Sequence, residues 1–261
     1  MSARQPDLEL LQFRYSPYNE KARWALAYKG LEHARRSLLP GPHAGPVRKL
    51  TGQTATPVLV IDGEPVAGSA RVIDALDRLA PEPRLVPEDD GERARALAIQ
   101  ARFDDDLTPR MRCAVLAILI DEPGYMCRCF AGGAPPFKRA VYRAAVPFAR
   151  RKIARGNGID SPASVEDGRK ATQEAFDFVA AETAATGYLV GGRFTVADLT
   201  AAATLATCID PPDSDMERPT PHPRGLADWL AAWQGHPGAA WVLEVYRKHR
   251  TVDRITNEAV A

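Results

Sequence analysis

A chain of 261 residues can bury a sizeable core, as one large domain or two modest ones. Its 34 Lys and Arg against 33 Asp and Glu leave a formal net charge of +1, which gives no case for a nucleic-acid or membrane-surface protein. No charged-then-apolar leader opens the chain, and the longest clean apolar run, Cys113 to Ile120, is too short to span a bilayer. The cysteines Cys113, Cys127, Cys129 and Cys208 show neither zinc spacing nor a CxxC pair, so they read as reduced thiols of a cytoplasmic protein.

The apolar run Leu8 to Phe13 reads as a buried strand. Ser16-Pro17-Tyr18-Asn19-Glu20-Lys21-Ala22-Arg23-Trp24 then opens a helix. Pro17 suits a first helical turn, where a missing N–H costs nothing, and Gly30 suits its end. Ser16 therefore stands where a strand ends and a helix begins, with free N–H groups and the positive end of a helix dipole favouring an anion. His33 to Leu39 reads as a second strand, Pro40 to Pro46 as a loop, and Val47 to Leu50 as a stub of helix. Pro57 to Ile61 and Glu64 to Ala67 pair around an Asp62-Gly63 turn. Ser69 is the expected N-cap of a helix bearing Val72, Ile73, Leu76 and Leu79. The order β-α-β-α-β-β-α describes a small α/β layer domain, placed at 1–82.

Pro81 to Pro87 reads as a linker, and beyond it strand signals give way to helical ones. An all-α domain is expected over 91–261. Its helices are placed at 91–122, kinked or re-registered at Pro109, then at 135–154, 165–186, 196–209, 225–234 and 239–250. Pro211 to Pro223 holds five prolines and is expected to be mobile or pinned only at its ends. Thr195-Val196-Ala197-Asp198 is a capping box that nucleates a core helix. The run Lys138, Arg139, Arg143, Arg150, Arg151, Lys152 and Arg155 contains no acid and reads as a solvated helix face, with an anionic substrate or a membrane surface as the alternative. Asp104-Asp105-Asp106 also reads as solvated rather than metal-binding, because consecutive helix positions point apart.

A strand followed by Ser16-Pro17-Tyr18-x-x-Lys21-x-Arg23 resembles the thioredoxin-fold half of the glutathione transferases. The Thr195-x-x-Asp198 box, the Thr56-Pro57 pair before a β-branched strand, and Ser69 at the next helix start resemble the same family. The resemblance implies a thioredoxin-like domain followed by a helical one, commonly as a homodimer. It implies that Ser16 touches the sulfur of glutathione, or of another low-molecular-weight thiol. It implies that Pro57 is cis with the Thr56 backbone on the cysteinyl part, that Ser69 with Gly68 receives the γ-glutamyl end, and that Gln53 also binds glutathione. Arg14, Tyr15, Tyr18, Phe103, Asp104 and Arg110 are the implied lining of a second-substrate site. Two positions depart from the pattern: Gly68 stands where the family has an acid or Gln, and Ala55 where a Lys is common, with Gln53, Arg48, Lys49 or Arg71 available to compensate.

Glutaredoxin-like relatives carry Cys where this chain has Ser16 and often Asn19, so dithiol reductase chemistry is excluded. The expectation is an enzyme that activates a bound thiol for conjugation, dehalogenation or isomerisation of a small electrophile. The alternative is a non-catalytic binding or scaffold protein with the same fold.

Overall fold

The computed structural model describes residues 6–260. Strand β1 (Leu8–Gln12) is central to a five-stranded sheet of order β4-β3-β1-β2-β5. It pairs in parallel with β2 (His33–Ser37), Leu11 opposite Arg36, and antiparallel with β3 (Val58–Ile61), Leu10 opposite Leu59. The β3–β4 hairpin (β4, Glu64–Ala67) turns at Asp62 and Gly63, both with positive φ, as a two-residue turn with right-handed strand twist requires. Helix α1 (Pro17–Tyr28) crosses from β1 to β2, α2 (Ala44–Thr51) leads to β3, and α3 (Ser69–Leu79) packs beside α1.

Helix α1 is buried almost all round, including Glu20, Lys21 and Arg23. Those charges survive burial because each is paired. Lys21 Nζ meets both Asp104 carboxylate oxygens at 2.7 and 2.6 Å, and Arg23 Nε meets Glu20 at 2.7 Å. Burial lowers the proton affinity of Lys21 and raises that of Asp104, against their mutual attraction.

The helical part begins with α4 (Asp90–Arg102) and continues through a π-helical segment, Phe103–Leu107, into α5 (Thr108–Leu119). Of the two outcomes expected at Pro109, the helix over 91–122 is re-registered, through the π segment. Pro109 donates no hydrogen bond and its ring would strike the carbonyl four residues back, and the π segment lies directly ahead of it. Helix α6 (Pro123–Ala131), which the sequence reading left unassigned, precedes α7 (Pro136–Gly156) and α8 (Pro162–Thr183). Core helix α9 (Val196–Leu205) starts at the expected box: the Thr195 N–H and hydroxyl both donate to Asp198 at 2.9 Å, and the Leu189 N–H donates at 2.8 Å. Helices α10 (Arg224–Ala231) and α11 (Pro237–His249) complete the set.

Two features differ from expectation. The chain does not end in helix: β5 (Ile255–Val260) returns to the sheet and pairs in parallel with β2, Arg35 opposite Glu258. The loop 211–223 is held at its middle, where Met216 is 1% and Arg218 4% exposed. Both outcomes share one cause, a buried cluster of three arginines and three acids. Arg35 bonds Asp215 at 2.9 Å and is ion-paired with Asp253 at 3.0 Å, while Arg250 bonds Glu20 at 2.9 Å and Asp253 at 2.8 Å. Arg23 lies 3.4 Å from Asp215. Loop, α11 end and α1 are locked together, because removing any one member strands a buried charge at a cost of about 3–5 kcal/mol. Burial would raise the Asp215 pKa, but Arg23, Arg35 and Arg250 together hold it down at about 2.

Candidate functional site

The short Arg14-Tyr15 turn, with Tyr15 at φ 57°, swings the chain from β1 into α1. Ser16 is extended, and its carbonyl accepts the first helical N–H, from Glu20, at 2.8 Å. Its hydroxyl does not cap the helix. Instead Ser16 Oγ accepts a hydrogen bond from Asn19 Nδ2 at 2.7 Å, and the same nitrogen donates to Thr56 Oγ1 at 3.1 Å. Asn19 is fully buried, so Ser16 and Thr56 are stapled to one rigid amide. With a lone pair so occupied, the Ser16 O–H proton is free to point away from the protein at the positive end of α1.

The Thr56-Pro57 bond is cis, and the Pro57 carbonyl accepts the Gly68 N–H at 2.9 Å. That bond brings the start of α3 beside Thr56. Gly68, not Ser69, is the N-cap; Ser69 is the first helical residue and 5% exposed. Gly68 has φ +95°, where an L side chain is strained, which accounts for glycine at this position. The Arg71 guanidinium lies about where a side chain at position 68 would reach, 3.9 Å from an added Cβ, and its Nε donates to the Ala67 carbonyl at 2.7 Å. The first N–H groups of α3 thus open beside a hydroxyl and a cation, a setting that suits a carboxylate.

The remaining expected residues divide into two groups. Arg14 and Tyr15 stay at the rim: Arg14 bonds Glu258 of β5 at 3.1 Å, and Tyr15 packs edge-on against Phe130 of α6 at 6.2 Å between centroids. The others serve structural contacts. Tyr18 donates to the Asp104 carbonyl at 2.7 Å, Asp104 holds Lys21, and Phe103 is 0% exposed in the core. Arg110 pairs with Asp167 of α8 at 2.7 Å, and the Gln53 amide folds back on its own loop through Thr51 and Ala55. Burial raises the Tyr15 phenol above its usual range and pushes the Tyr18 phenol up to about 12, so both stay protonated at neutral pH. A hollow lined by Tyr28, Leu85, Tyr188, Phe194 and His249 opens at the other end of α1, about 18 Å away along its axis.

Three residues at the site were not foreseen. Asn19 was readable, since i and i+3 share a helix face and an amide there can reach back to Ser16. Phe130 and Glu258 were not, because both arrive by long-range packing. Among the described residues no His, Cys, Asp or Glu cluster could hold a metal, and no helix is long and apolar enough to cross a membrane. All four cysteines are free thiols.

A thioredoxin-like sheet with a serine at the N-terminus of its first helix, a cis-proline loop and a helical partner is the architecture of a glutathione transferase. The model for the N-terminal domain of glutathione S-transferases matches residues 10–84, and that for the C-terminal domain matches 162–233. The chain belongs to the glutathione S-transferase family. A probable glutathione S-transferase of Nicotiana tabacum is 32% identical over 108 residues, 38% of this chain and 45% of that protein. The match therefore spans under half the length of this curated relative. Among solved structures, a glutathione S-transferase from Rhodospirillum rubrum F11 is 20% identical with a TM-score of 0.61, over 92% of this chain and 88% of the other. One from Methylobacillus flagellatus, with glutathione bound, is 18% identical with a TM-score of 0.61, over 93% and 95%. At these identities the structures establish the fold.

Proposed function

We propose that this protein is a serine-type glutathione transferase of the cytoplasm, working as a homodimer, in which Ser16 holds the sulfur of bound glutathione as a thiolate. The observation that carries the reading is the Ser16 hydroxyl itself, half-buried at the start of α1 and fixed by Asn19 at 2.7 Å. The Thr56 main chain before the cis bond receives the cysteinyl part of the peptide. Ser69 and the N–H groups of α3 receive the γ-glutamyl carboxylate, and Arg71 supplies a cation there in place of the family's residue at position 68.

A free thiol of pKa about 8.5 is only a few per cent ionised at neutral pH. A hydrogen bond from Ser16 to the sulfur anion contributes about 1.5–3 kcal/mol and the helix terminus about 0.3–1 kcal/mol. At 1.36 kcal/mol per unit these lower the bound thiol by about 1.3 to 3 pKa units, so that much or most of it is thiolate at neutral pH. The thiol proton leaves to solvent, and the sulfur attacks a small electrophile lying between the sheet and the helical part, with Tyr15 and Phe130 at its edge. Whether the product is a conjugate, a dehalogenated acid or an isomer depends on that electrophile.

The test is a thermal-shift titration with glutathione. Millimolar glutathione should raise the melting temperature by linkage, and conjugation of a chlorinated nitroarene should follow the same saturation. No shift at saturating concentration, with another low-molecular-weight thiol stabilising instead, would reassign the ligand. No shift with any thiol would leave the non-catalytic reading in its place.

A further inference from the structure

We propose that α7 is a docking helix for an anionic lipid surface. The family models end at residue 84 and resume at 162, so α6 and α7 lie in a stretch that neither describes. From 123 to 159 the chain has eight cations and no acid against a whole-chain net charge of +1, which leaves the remainder at −7. A molecule so polarised presents one face to an anionic surface.

The helix divides into three strips. Tyr142 and Val146 are buried and Ile153 partly so, one stripe at helical spacing that packs on the protein. At 3.6 residues per turn, Phe137, Val141, Ala144 and Phe148 form a second stripe on the opposite side. That stripe faces solvent: Phe137 is 79%, Val141 51% and Phe148 91% exposed. Large apolar groups aligned on one exposed face, rather than scattered singly, mark an interaction surface. Lys138 and Lys152 flank the stripe on one side and Arg151 on the other, and Arg155 continues it, while Arg139, Arg143 and Arg150 lie beside the buried stripe. Arg150 pairs with Asp121; none of the other six forms a salt bridge among the described residues. Phe137 and Phe148 stand about 16 Å apart along the axis, enough for two anchors in one headgroup layer.

An apolar stripe between two cationic flanks is the pattern of a helix lying in a bilayer interface, rings below the headgroups and cations among them. A second copy of this chain packed face to face through α7 is disfavoured, since the same cationic face would meet itself. A duplex nucleic acid would use the cations and leave the phenylalanines in water.

The experiment is flotation of the full chain with vesicles of equimolar phosphatidylcholine and phosphatidylglycerol, against vesicles of phosphatidylcholine alone. Binding is expected only to the first and is expected to weaken with salt. Phe137→Ser combined with Phe148→Ser should abolish it with the melting temperature unchanged, because both rings are exposed. Arg151→Gln and Lys152→Gln should each weaken it about fivefold. Phe148→Trp should blue-shift its emission on the anionic vesicles, against a background of native tryptophans that are all buried. Vesicle binding that is absent, or that survives the double serine change, overturns the proposal. So does tighter binding to oligonucleotides than to vesicles, or a dimer that the double change splits.

Discussion

Replacing Ser16 by Ala removes one oxygen at the N-terminus of α1 and should leave the helix in place, because the hydroxyl makes no cap and Glu20 bonds the Ser16 carbonyl. What it should remove is the hydrogen bond to the thiolate, about 1.5–3 kcal/mol for a charged acceptor. At 1.36 kcal/mol per unit, the pKa of bound glutathione rises by about one to two units. Conjugation at neutral pH should fall about ten- to hundredfold, and the acid limb of the rate profile should move by the same interval to higher pH. Glutathione affinity should change little, since most peptide contacts are assigned to Thr56 and Ser69. The assay is ultraviolet thiolate absorbance of the complex against pH, with single-turnover conjugation beside it. Asn19→Ala supplies the second arm. It leaves Ser16 and Thr56 without their shared donor, at 2.7 and 3.1 Å, and should lose part of the rate and about 1 kcal/mol of stability. If the thiol pKa and the rate are both unchanged in Ser16→Ala, the sulfur is not at Ser16. Tyr15 is then the next hydroxyl to replace, because Tyr18 is already bonded to Asp104.

Gly68→Glu restores the family's usual residue type but forces a side chain to φ +95°, a strain of about 1–3 kcal/mol that should cancel the gain of a new hydrogen bond. Urea unfolding should show the loss, and an unchanged midpoint would mean the backbone relaxes. Asp215→Asn leaves three buried arginines facing two acids, one charge uncompensated, and should cost about 3–5 kcal/mol by denaturant unfolding. Because the Asp215 pKa is about 2 in the folded protein and about 3.9 unfolded, its contribution of roughly 2 kcal/mol is complete above about pH 4 and disappears as pH falls toward 2. A parent whose stability is flat across that interval would refute the charge cluster. In Gly168→Ala the new Cβ would lie 2.4 Å from the Arg110 carbonyl oxygen and 2.9 Å from the Ala114 Cβ, so α5 and α8 must part. A fall of about 1–3 kcal/mol is expected, and none would mean that the two helices are not in register there.

The sequence by itself determined the thioredoxin-like order of strands and helices, the helical second part, the Thr195 capping box and the placement of Ser16 and Ser69 at helix starts and of Thr56-Pro57 just before β3. These are local matters: apolar period, proline and glycine placement, and hydroxyls at helix starts act over a few residues. The tertiary structure decided the rest. Lys21 and Arg23, charged residues near the start of α1, look like surface from their neighbours alone. They are buried only because Asp104 and Asp215 come to meet them from distant parts of the chain, beside Glu20 on the same helix and Gln12 of β1. The proline-rich loop looked unanchored for the same reason, and β5 could not be read because residues 255–259 are all exposed and offer no buried apolar face. It exists where β2 offers an open edge and the Arg250–Asp253 corner delivers the chain to it. Local pattern records what a segment prefers, whereas a buried charge or an edge strand is stable only with a partner, and the partner's position is a property of the folded chain.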